Sequence, residues 1–341
     1  MNWNRILRNR ELLVLLILFG MMAVIGAINP AFLQAATMKN MLDSSLILVL
    51  IAIGEMFVIL TRGIDVSVGA ITGISAVILG TALNAGVPLP LAIFLALLTG
   101  LAAGMINGFG VTFLRVPPII MTLGSLGAFR GLMLIITEGS WIETIPQSIK
   151  SMAGAKLLGV SGFAWFTILL TVAVFFLLKR VRAARYFYAV GDNENGAYLM
   201  GVPVRLTHFT AYSLAGLFAG LASVIFVAQI GFVPMSTGDG LEMRAIAAGV
   251  LGGINLAGGV GTPFSALVGG VFLTVIDSVL IYLKVPAFWN NAIAGGILLV
   301  VLWIDYQIRV ALDQRQRRAR AQMRLHHSVQ LSVEAASKEA L

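Results

Sequence analysis

Long runs of apolar residues, broken by short polar stretches, fill most of this 341-residue chain. A run of about 20 apolar residues is long enough to cross a bilayer as a helix. A membrane β-barrel would need short strands of alternating polarity instead, and the sequence lacks that pattern. The sequence therefore predicts an all-α integral membrane protein with about ten transmembrane helices. We place them at 11–28, 43–61, 66–84, 89–113, 117–137, 162–179, 207–228, 243–257, 260–282 and 286–304.

The eighth predicted span, 243–257, differs from the others because it is short and rich in glycine. Both a full crossing and a half-span or re-entrant segment fit its sequence. Elsewhere, Gly100, Gly104 and Gly108 recur every four residues and are predicted to line one helix face, where small residues let membrane helices approach closely. Gly124 and Gly127 are predicted to add further close contacts.

The composition excludes an ordinary soluble domain. Hydrophobic residues make up 59% of the chain and charged residues 11%, whereas soluble domains carry about 25% charged residues. The chain has no cysteine, which excludes disulfides and thiolate metal sites. Its three histidines, His208, His326 and His327, are too scattered for a metal cluster. We therefore predict no metal and no cofactor.

The basic residues predict the orientation, since cytoplasmic loops carry an excess of Lys and Arg. With a cytoplasmic N-terminus, 17 of the 23 Lys and Arg residues fall in inner segments and 4 in outer segments, and the other two, Arg130 and Arg244, lie within or beside spans. Both termini are thus predicted to be cytoplasmic. A single transmembrane domain is predicted over 1–305, followed by a basic cytoplasmic tail, 306–341, on anionic lipid. This placement explains the net charge of +8 without a nucleic acid partner.

One short motif occurs twice: "GIDV" at 63–66 and "GINL" at 253–256. We interpret these as corresponding turns in two loosely repeated halves, although chance recurrence in a glycine-rich chain is the alternative. A second match, between 114–118 and 283–287, is equally open to chance. The predicted roles are a helix cap for Asp65, with Asn255 as its neutral counterpart. The residues predicted to form the turns and their packing are Gly63, Asp65, Gly69, Gly253 and Asn255.

Three charged residues stand out within the predicted spans: Glu55, Arg130 and Asp277. Each costs at least about 2.5 kcal/mol at the middle of a bilayer, so they should face the protein interior, a cavity or one another. A transport pathway and a buried pair such as Glu55 with Arg130 are both consistent with the sequence. His208 is predicted to be interfacial.

No motif for nucleotide binding or metal-dependent hydrolysis is present, because both G-x-x-x-x-G-K-[ST] and H-E-x-x-H are missing. An intramembrane enzyme would need paired carboxylates or a Ser–Lys or Ser–His set at helical spacing, and we find none. The chain is therefore predicted to be a non-catalytic transport protein. Any ATP hydrolysis must come from a separate subunit.

Three strings together resemble one family: "GIDVSVGAITG", "AVGDNENGAYLMGV" and "GVLGGINLAGGVGTPFSALVGG". The chain is similar, over about residues 10–305, to membrane permease subunits of bacterial ABC importers for ribose, related monosaccharides and autoinducer-2. Details such as "FYAVGDN" and "VPAFWN" favour the autoinducer-2 branch. The family usually has Gly-Gly-Ile-Asp-Leu-Ser-Val-Gly, whereas here Thr61 and Arg62 precede Gly63.

The resemblance implies a type II-like importer fold of ten spans in the bacterial inner membrane. It also implies three kinds of protein partner: cytoplasmic ABC ATPase subunits, a second permease subunit, identical or paralogous, and a periplasmic solute-binding protein. The inner loop, about 180–206, would dock on the ATPase. The coupling residues that the resemblance implies are Gly191, Asp192, Asn193, Glu194, Asn195, Gly196, Ala197, Gly201 and Val202.

The resemblance favours autoinducer-2 as the solute, with ribose or another monosaccharide as the alternative. A transporter coupled to an ion gradient remains as a rival, and Glu55 and Asp277 would then be its candidate ion-binding residues.

Overall fold

The computed structural model describes residues 10–286 and, beyond them, the single positions 289, 292, 293, 295, 296, 299, 303 and 307. Nearly all of the predicted span 286–304 and the whole tail 306–341 lie outside the described residues, as do residues 1–9. The elements below belong to one compact unit, Met1–Gly295. A second unit covers Gly296–Leu341.

The described part of the chain is mostly helical. Its helices are α1 (Arg10–Ile28), α2 (Ala35–Leu60), α3 (Val68–Asn84), α4 (Leu89–Thr112), α5 (Pro118–Thr137), α6 (Gln147–Gly154), α7 (Gly162–Arg180), α8 (Tyr186–Asp192), α9 (Glu194–Leu199), α10 (Val204–Ile230), α11 (Leu241–Gly252) and α12 (Pro263–Tyr282). Short 3-10 turns occupy Pro30–Leu33 and Ala183–Arg185. Two strands, β1 (Lys156–Leu157) and β2 (Val160–Ser161), complete the set.

Within the described residues, six helices are long and apolar enough to cross a membrane: α2, α4, α5, α7, α10 and α12. The apolar parts of α1 and α3 are shorter. The count of ten spans stays a prediction. Helix α11 has 12 residues and so covers about 18 Å, which is well short of the roughly 30 Å of bilayer hydrocarbon. The eighth predicted span therefore forms a half-span.

Helices α2 and α10 form the centre of the unit. Helix α2 packs against α10, α11 and α12, and α10 also packs against α3 and α4. Every residue of α2 from Leu48 to Leu60 is buried, as expected for a helix that is apolar on all sides and surrounded by neighbours. In contrast, α4 and α5 each leave one apolar face exposed.

Glycines bring α4 and α10 into backbone contact. A Cβ on Gly100 would meet the Gly216 carbonyl oxygen, and a Cβ on Gly104 would meet the Tyr212 carbonyl oxygen. The predicted close-packing face on α4 is therefore confirmed. The corresponding prediction for Gly124 and Gly127 was wrong, because no described atom lies within 4 Å of a Cβ built on either residue.

A carboxylate from α1 holds the start of α12. Thr262 caps α12 and forms a reciprocal capping box with Ser265. The Glu11 side chain accepts hydrogen bonds from both hydroxyls, at 2.6 Å from Thr262 and 2.7 Å from Ser265. A negative charge is favourable at this position because the helix dipole is positive at its N-terminus.

The prediction of an all-α chain was wrong in one detail, because β1 and β2 form a small antiparallel hairpin. The two residues between the strands, Leu158 and Gly159, both have positive φ angles, of 53° and 77°. This backbone conformation is the one that a tight two-residue hairpin requires. Two residues per strand are too few to produce a visible alternation in the sequence.

Substituting Gly104 with Ala should destabilise the protein by about 1–3 kcal/mol, because neither backbone can move away from the new methyl group. The control is Gly124→Ala, where the methyl group meets no described atom within 4 Å and should stabilise the helix by about 0.5–1 kcal/mol. Thermal unfolding of the purified variants measures the difference. Equal unfolding temperatures would contradict the backbone contact.

Candidate functional site

Helices α2 and α11 end with the same backbone geometry. At the end of α2, Arg62 has a φ of 66° and the Gly63 N–H donates to the Val58 carbonyl at 2.9 Å. At the end of α11, Gly253 has a φ of 117° and the Ile254 N–H donates to Gly249, also at 2.9 Å. This is the left-handed helix termination of the Schellman type. It places Arg62, not Gly63, in the position of Gly253, so the structural match is offset by one residue from the sequence match.

The Arg62 side chain ties the first turn to α8. Its Nε donates to the Gly191 carbonyl and one terminal nitrogen donates to the Asp192 carbonyl, both at 2.7 Å. These carbonyls lie at the C-terminal end of α8, where the helix dipole favours a positive charge. A guanidinium group suits this position because its fork offers two donors in a fixed geometry.

The glycine-rich turn before α12, residues 258–261, packs against the same end of α2. The Gly259 N–H donates to the Leu60 carbonyl at 3.0 Å. A Cβ on Gly191 would overlap both that carbonyl and the Gly259 nitrogen. Gly258 and Gly259 also have positive φ angles, of 83° and 72°. The turns 60–63 and 258–261 and the residues 188–192 thus form one backbone contact, here called the junction.

Tyr188 adds a side-chain contact to the junction. Its hydroxyl donates to the Gly261 carbonyl at 2.8 Å. Burial raises the pKa of Tyr188 above its ordinary value, so the hydroxyl remains a donor throughout the physiological range.

Beyond the junction, α9 projects from the unit. Asn193 caps it, since its side-chain oxygen accepts from the Gly196 N–H at 2.9 Å. Ala197 is buried, whereas Tyr198, Leu199 and Met200 at the tip are 72%, 84% and 86% exposed. The tip of α9 is thus largely apolar.

The structure brings the predicted coupling residues together. Gly191 and Asp192 lie in the junction, and Asn193 to Ala197 form the cap and body of α9. Gly201, with a φ of 80°, and Val202, whose N–H donates to the Ala197 carbonyl at 3.0 Å, close the turn after the tip.

Asp65 lies at the centre of a buried polar network. One of its oxygens accepts from the backbone N–H and the hydroxyl of Ser67, at 2.8 and 2.6 Å. The Asn107 amide on α4 donates to the other oxygen at 3.2 Å, and the Ser125 hydroxyl on α5 donates to Asn107 at 2.6 Å. Burial raises the pKa of the Asp65 carboxyl, and the hydrogen bonds from Ser67 and Asn107 oppose that rise.

The predicted cap roles of Asp65 and Asn255 need correction. Helix α3 has Ser67 as its N-cap, so Asp65 binds the residue before the first helical turn. The Asn255 side chain accepts from the Ala257 N–H at 2.9 Å, within the turn, while Thr262 caps α12. In each case a hydroxyl residue occupies the N-cap position, but only the Thr262 side chain makes a capping hydrogen bond.

Glu55 is fully buried and touches the same network. One of its oxygens accepts from the Asp65 N–H at 3.0 Å. Among the described residues, its other oxygen has no hydrogen-bond partner, nor does the buried hydroxyl of Tyr212. That hydroxyl lies against Gly63, where a Cβ would touch it at 2.6 Å.

Arg130 on α5 binds the loop between α10 and α11. It donates to the Thr237 carbonyl at 2.6 Å and forms an ion pair with Asp239 at 2.5 Å. The pairing with Glu55 that we had considered was therefore wrong. Gly238 approaches so closely to Gly69 that a Cβ on either residue would overlap the other's carbonyl oxygen.

Asp277 on α12 forms an ion pair with Arg244 on α11. This contact holds the half-span against a full-length helix. Within the part of the chain that the structure describes, no three acidic or histidine side chains are placed to hold a metal ion.

Substituting Arg62 with Gln should loosen α8, because each hydrogen bond to a charged group contributes about 1.5–3 kcal/mol. Amide hydrogen exchange across Tyr186–Asp192 should rise at least about 10-fold. Arg182→Gln is the control, since Arg182 is exposed and makes no described contact with the junction. Unchanged protection in Arg62→Gln would show that the two hydrogen bonds do not hold α8.

Comparisons with known proteins agree in assigning the chain to one kind of membrane protein. The family described as "Branched-chain amino acid transport system / permease component" matches residues 37–302. "Autoinducer 2 import system permease protein LsrC" of Salmonella typhi is 47% identical over 310 residues, which cover 91% of this chain and 89% of that protein. Its namesake in Escherichia coli (strain K12 / DH10B) is 48% identical over 310 residues, 91% of each chain.

No solved structure matches the chain. The family match covers more than three quarters of the sequence and includes every element of the junction. The chain therefore belongs to the family of branched-chain amino acid transport system permease components.

Proposed function

We propose that this protein is the permease subunit of an ATP-driven importer in the bacterial inner membrane, and that its solute is autoinducer-2. The observation that carries the proposal is the match to autoinducer 2 import system permeases along nine tenths of both chains. The protein is multi-pass and non-catalytic, and both its termini are cytoplasmic.

The ATPase binds at the α9 tip. Three large side chains that point into solvent are costly on a soluble surface, and such a patch marks a site of protein contact. The tip is short and is held by the Asn193 cap and the buried Ala197. The tip is therefore a short, rigid projection that can fit a cleft on a cytoplasmic subunit.

The junction carries the movement of the ATPase into the membrane. Helix α8 is joined to the end of α2 by Arg62 and to the turn before α12 by Tyr188. A displacement of the tip therefore acts on both halves of the unit at once. ATP binding selects between two packed arrangements if the ATPase binds one of them more tightly.

The solute pathway runs beside Arg130 and Asp239. Asp239 is 61% exposed while it pairs with an arginine on the spanning helix α5. Because 229–242 is an outer segment, the exposed carboxylate faces water on the periplasmic side, and the ion pair supports a pathway entrance at this end of α5. A second permease subunit, identical or paralogous, completes the pore. The segments 138–161 and 229–242 receive the periplasmic binding protein.

Uptake assays test the proposed solute. In a permease deletion strain that expresses this chain with its ATPase, autoinducer-2 should accumulate and ribose should not. Preferred accumulation of ribose would favour the monosaccharide alternative. Uptake into vesicles that hold an ion gradient but no ATPase would support the ion-coupled rival and overturn the proposal.

The α9 tip should be required for ATPase binding but not for folding. The double variant Leu199→Ser, Met200→Ser should lose co-purification of the ATPase and lose uptake, whereas its unfolding temperature should stay unchanged because both side chains are exposed. The matched control is Leu157→Ser, Leu158→Ser, two exposed leucines in the hairpin (62% and 87%). Full ATPase retention by the tip variant would contradict this docking site.

A further inference from the structure

Two adjoining cavities lie where α4, α5 and α10 meet beside the junction. The first has a volume of about 440 Å³ and is lined by Arg62, Arg115, Arg205 and His208, with Glu194 as its one acidic residue. The second has a volume of about 380 Å³ and a wholly apolar lining. The two cavities are lined by residues that are neighbours along the chain. Val111, Thr112, Arg115 and His208 line the first, and Gly110, Leu114 and Phe209 line the second.

The first cavity is positively charged. Arg62 already donates to the α8 carbonyls, and Glu194 lies 3.9 Å from His208. Arg115 and Arg205 are exposed, and neither forms an ion pair among the described residues. Three guanidinium groups therefore face one carboxylate, which leaves a net positive charge suited to an anion.

The second cavity forms a groove along the spans. Its lining comes from α4, α5 and α10 and consists of Met105, Ile106, Phe109, Leu114, Met121 and Phe209, together with Gly110. Most of these side chains are exposed along the apolar face of α4. The groove thus extends along α4 from Leu114, next to Arg115 of the basic cavity, to Met105.

We propose that the two cavities together bind one anionic phospholipid, with its headgroup phosphate among Arg115, Arg205 and Arg62 and an acyl chain in the apolar groove. Arg115 follows the last turn of α4, and Arg205 is the second residue of α10, so both lie at the level where headgroups meet spans. Basic pockets between transmembrane helices bind anionic headgroups in this position. A free phosphate would use the arginines but leave the groove unexplained.

The lipid would contact the segment that the junction holds. Arg62 and Glu194 line the headgroup cavity and also belong to the junction and to α9, respectively. A bound phosphate would offset the repulsion among the arginines and so stabilise the junction. Anionic lipid should therefore raise the unfolding temperature of the full chain and lower amide exchange in α8.

The test measures lipid binding by the purified full-length protein, by native mass spectrometry after exchange into mixtures of phosphatidylcholine and phosphatidylglycerol. Each basic residue near the headgroup contributes about a factor of five. The double variant Arg115→Gln, Arg205→Gln should therefore lower the affinity for phosphatidylglycerol by roughly 25-fold. The control Arg180→Gln, Arg182→Gln removes two exposed arginines outside the cavity and should keep the wild-type preference.

A second variant separates lipid from a free anion. Met105→Trp fills the groove without changing the charge, and it should weaken phosphatidylglycerol binding while the protein still elutes as wild type in size-exclusion chromatography. Three results would overturn the proposal: an unchanged lipid preference in the cavity variant, an equal loss in the control, or full competition by glycerol phosphate, which has no acyl chain. None of these measurements depends on transport or on an ATPase, so they stand apart from the proposed function.

Discussion

The junction depends on the absence of side chains at Gly191 and Gly259. The Leu60 carbonyl accepts a hydrogen bond from Gly259 and lies against the α-carbon of Gly191, so three segments from distant parts of the sequence share one small volume. A methyl group at Gly191 would overlap the Leu60 carbonyl of α2 and the nitrogen of Gly259. These are backbone atoms, which cannot rotate away as a side chain can. This contact requires glycine at these two positions and so explains two of the glycines that interrupt the apolar pattern.

Charge inside an apolar bundle imposes the second constraint. Isolated charges in a low-dielectric interior are very costly, so they are stable only with partners. The Asp65 carboxylate receives hydrogen bonds from two residues, Ser67 and Asn107. Arg244 pairs with Asp277, and Arg130 pairs with Asp239. Each contact joins an irregular or short segment to a long helix: the turn at Asp65 to α4, the half-span α11 to α12, and the loop at Asp239 to α5. Polar partners thus fix the irregular segments, which have too little apolar surface to be held by packing alone.

The six long apolar helices were predictable from the sequence, because a run of apolar residues is a local signal. For 243–257 the sequence left a full crossing and a half-span open, and the 12-residue length of α11 favours the half-span. The side-chain partners of the polar residues were not predictable from the sequence. Arg62 and Gly191 are 129 residues apart, and Asn107 and Ser125 occupy ordinary helical positions whose role appears only when α4 and α5 face Asp65. The cap assignments failed for a related reason, since several hydroxyl and carboxylate residues competed locally and geometry decided among them.

Arg62 shows how this chain departs from the pattern that it resembles, in which glycine is usual at this position. A left-handed backbone costs a side-chain-bearing residue roughly 1–2 kcal/mol, and glycine would avoid that cost. The guanidinium group, however, forms two hydrogen bonds to the end of α8, each worth about 1.5–3 kcal/mol. The balance favours arginine, provided that α8 stays close. The residue therefore links the conformation of the α2 turn to the position of α8 by two hydrogen bonds, whereas a glycine at the same place would leave only the backbone contact at Gly191.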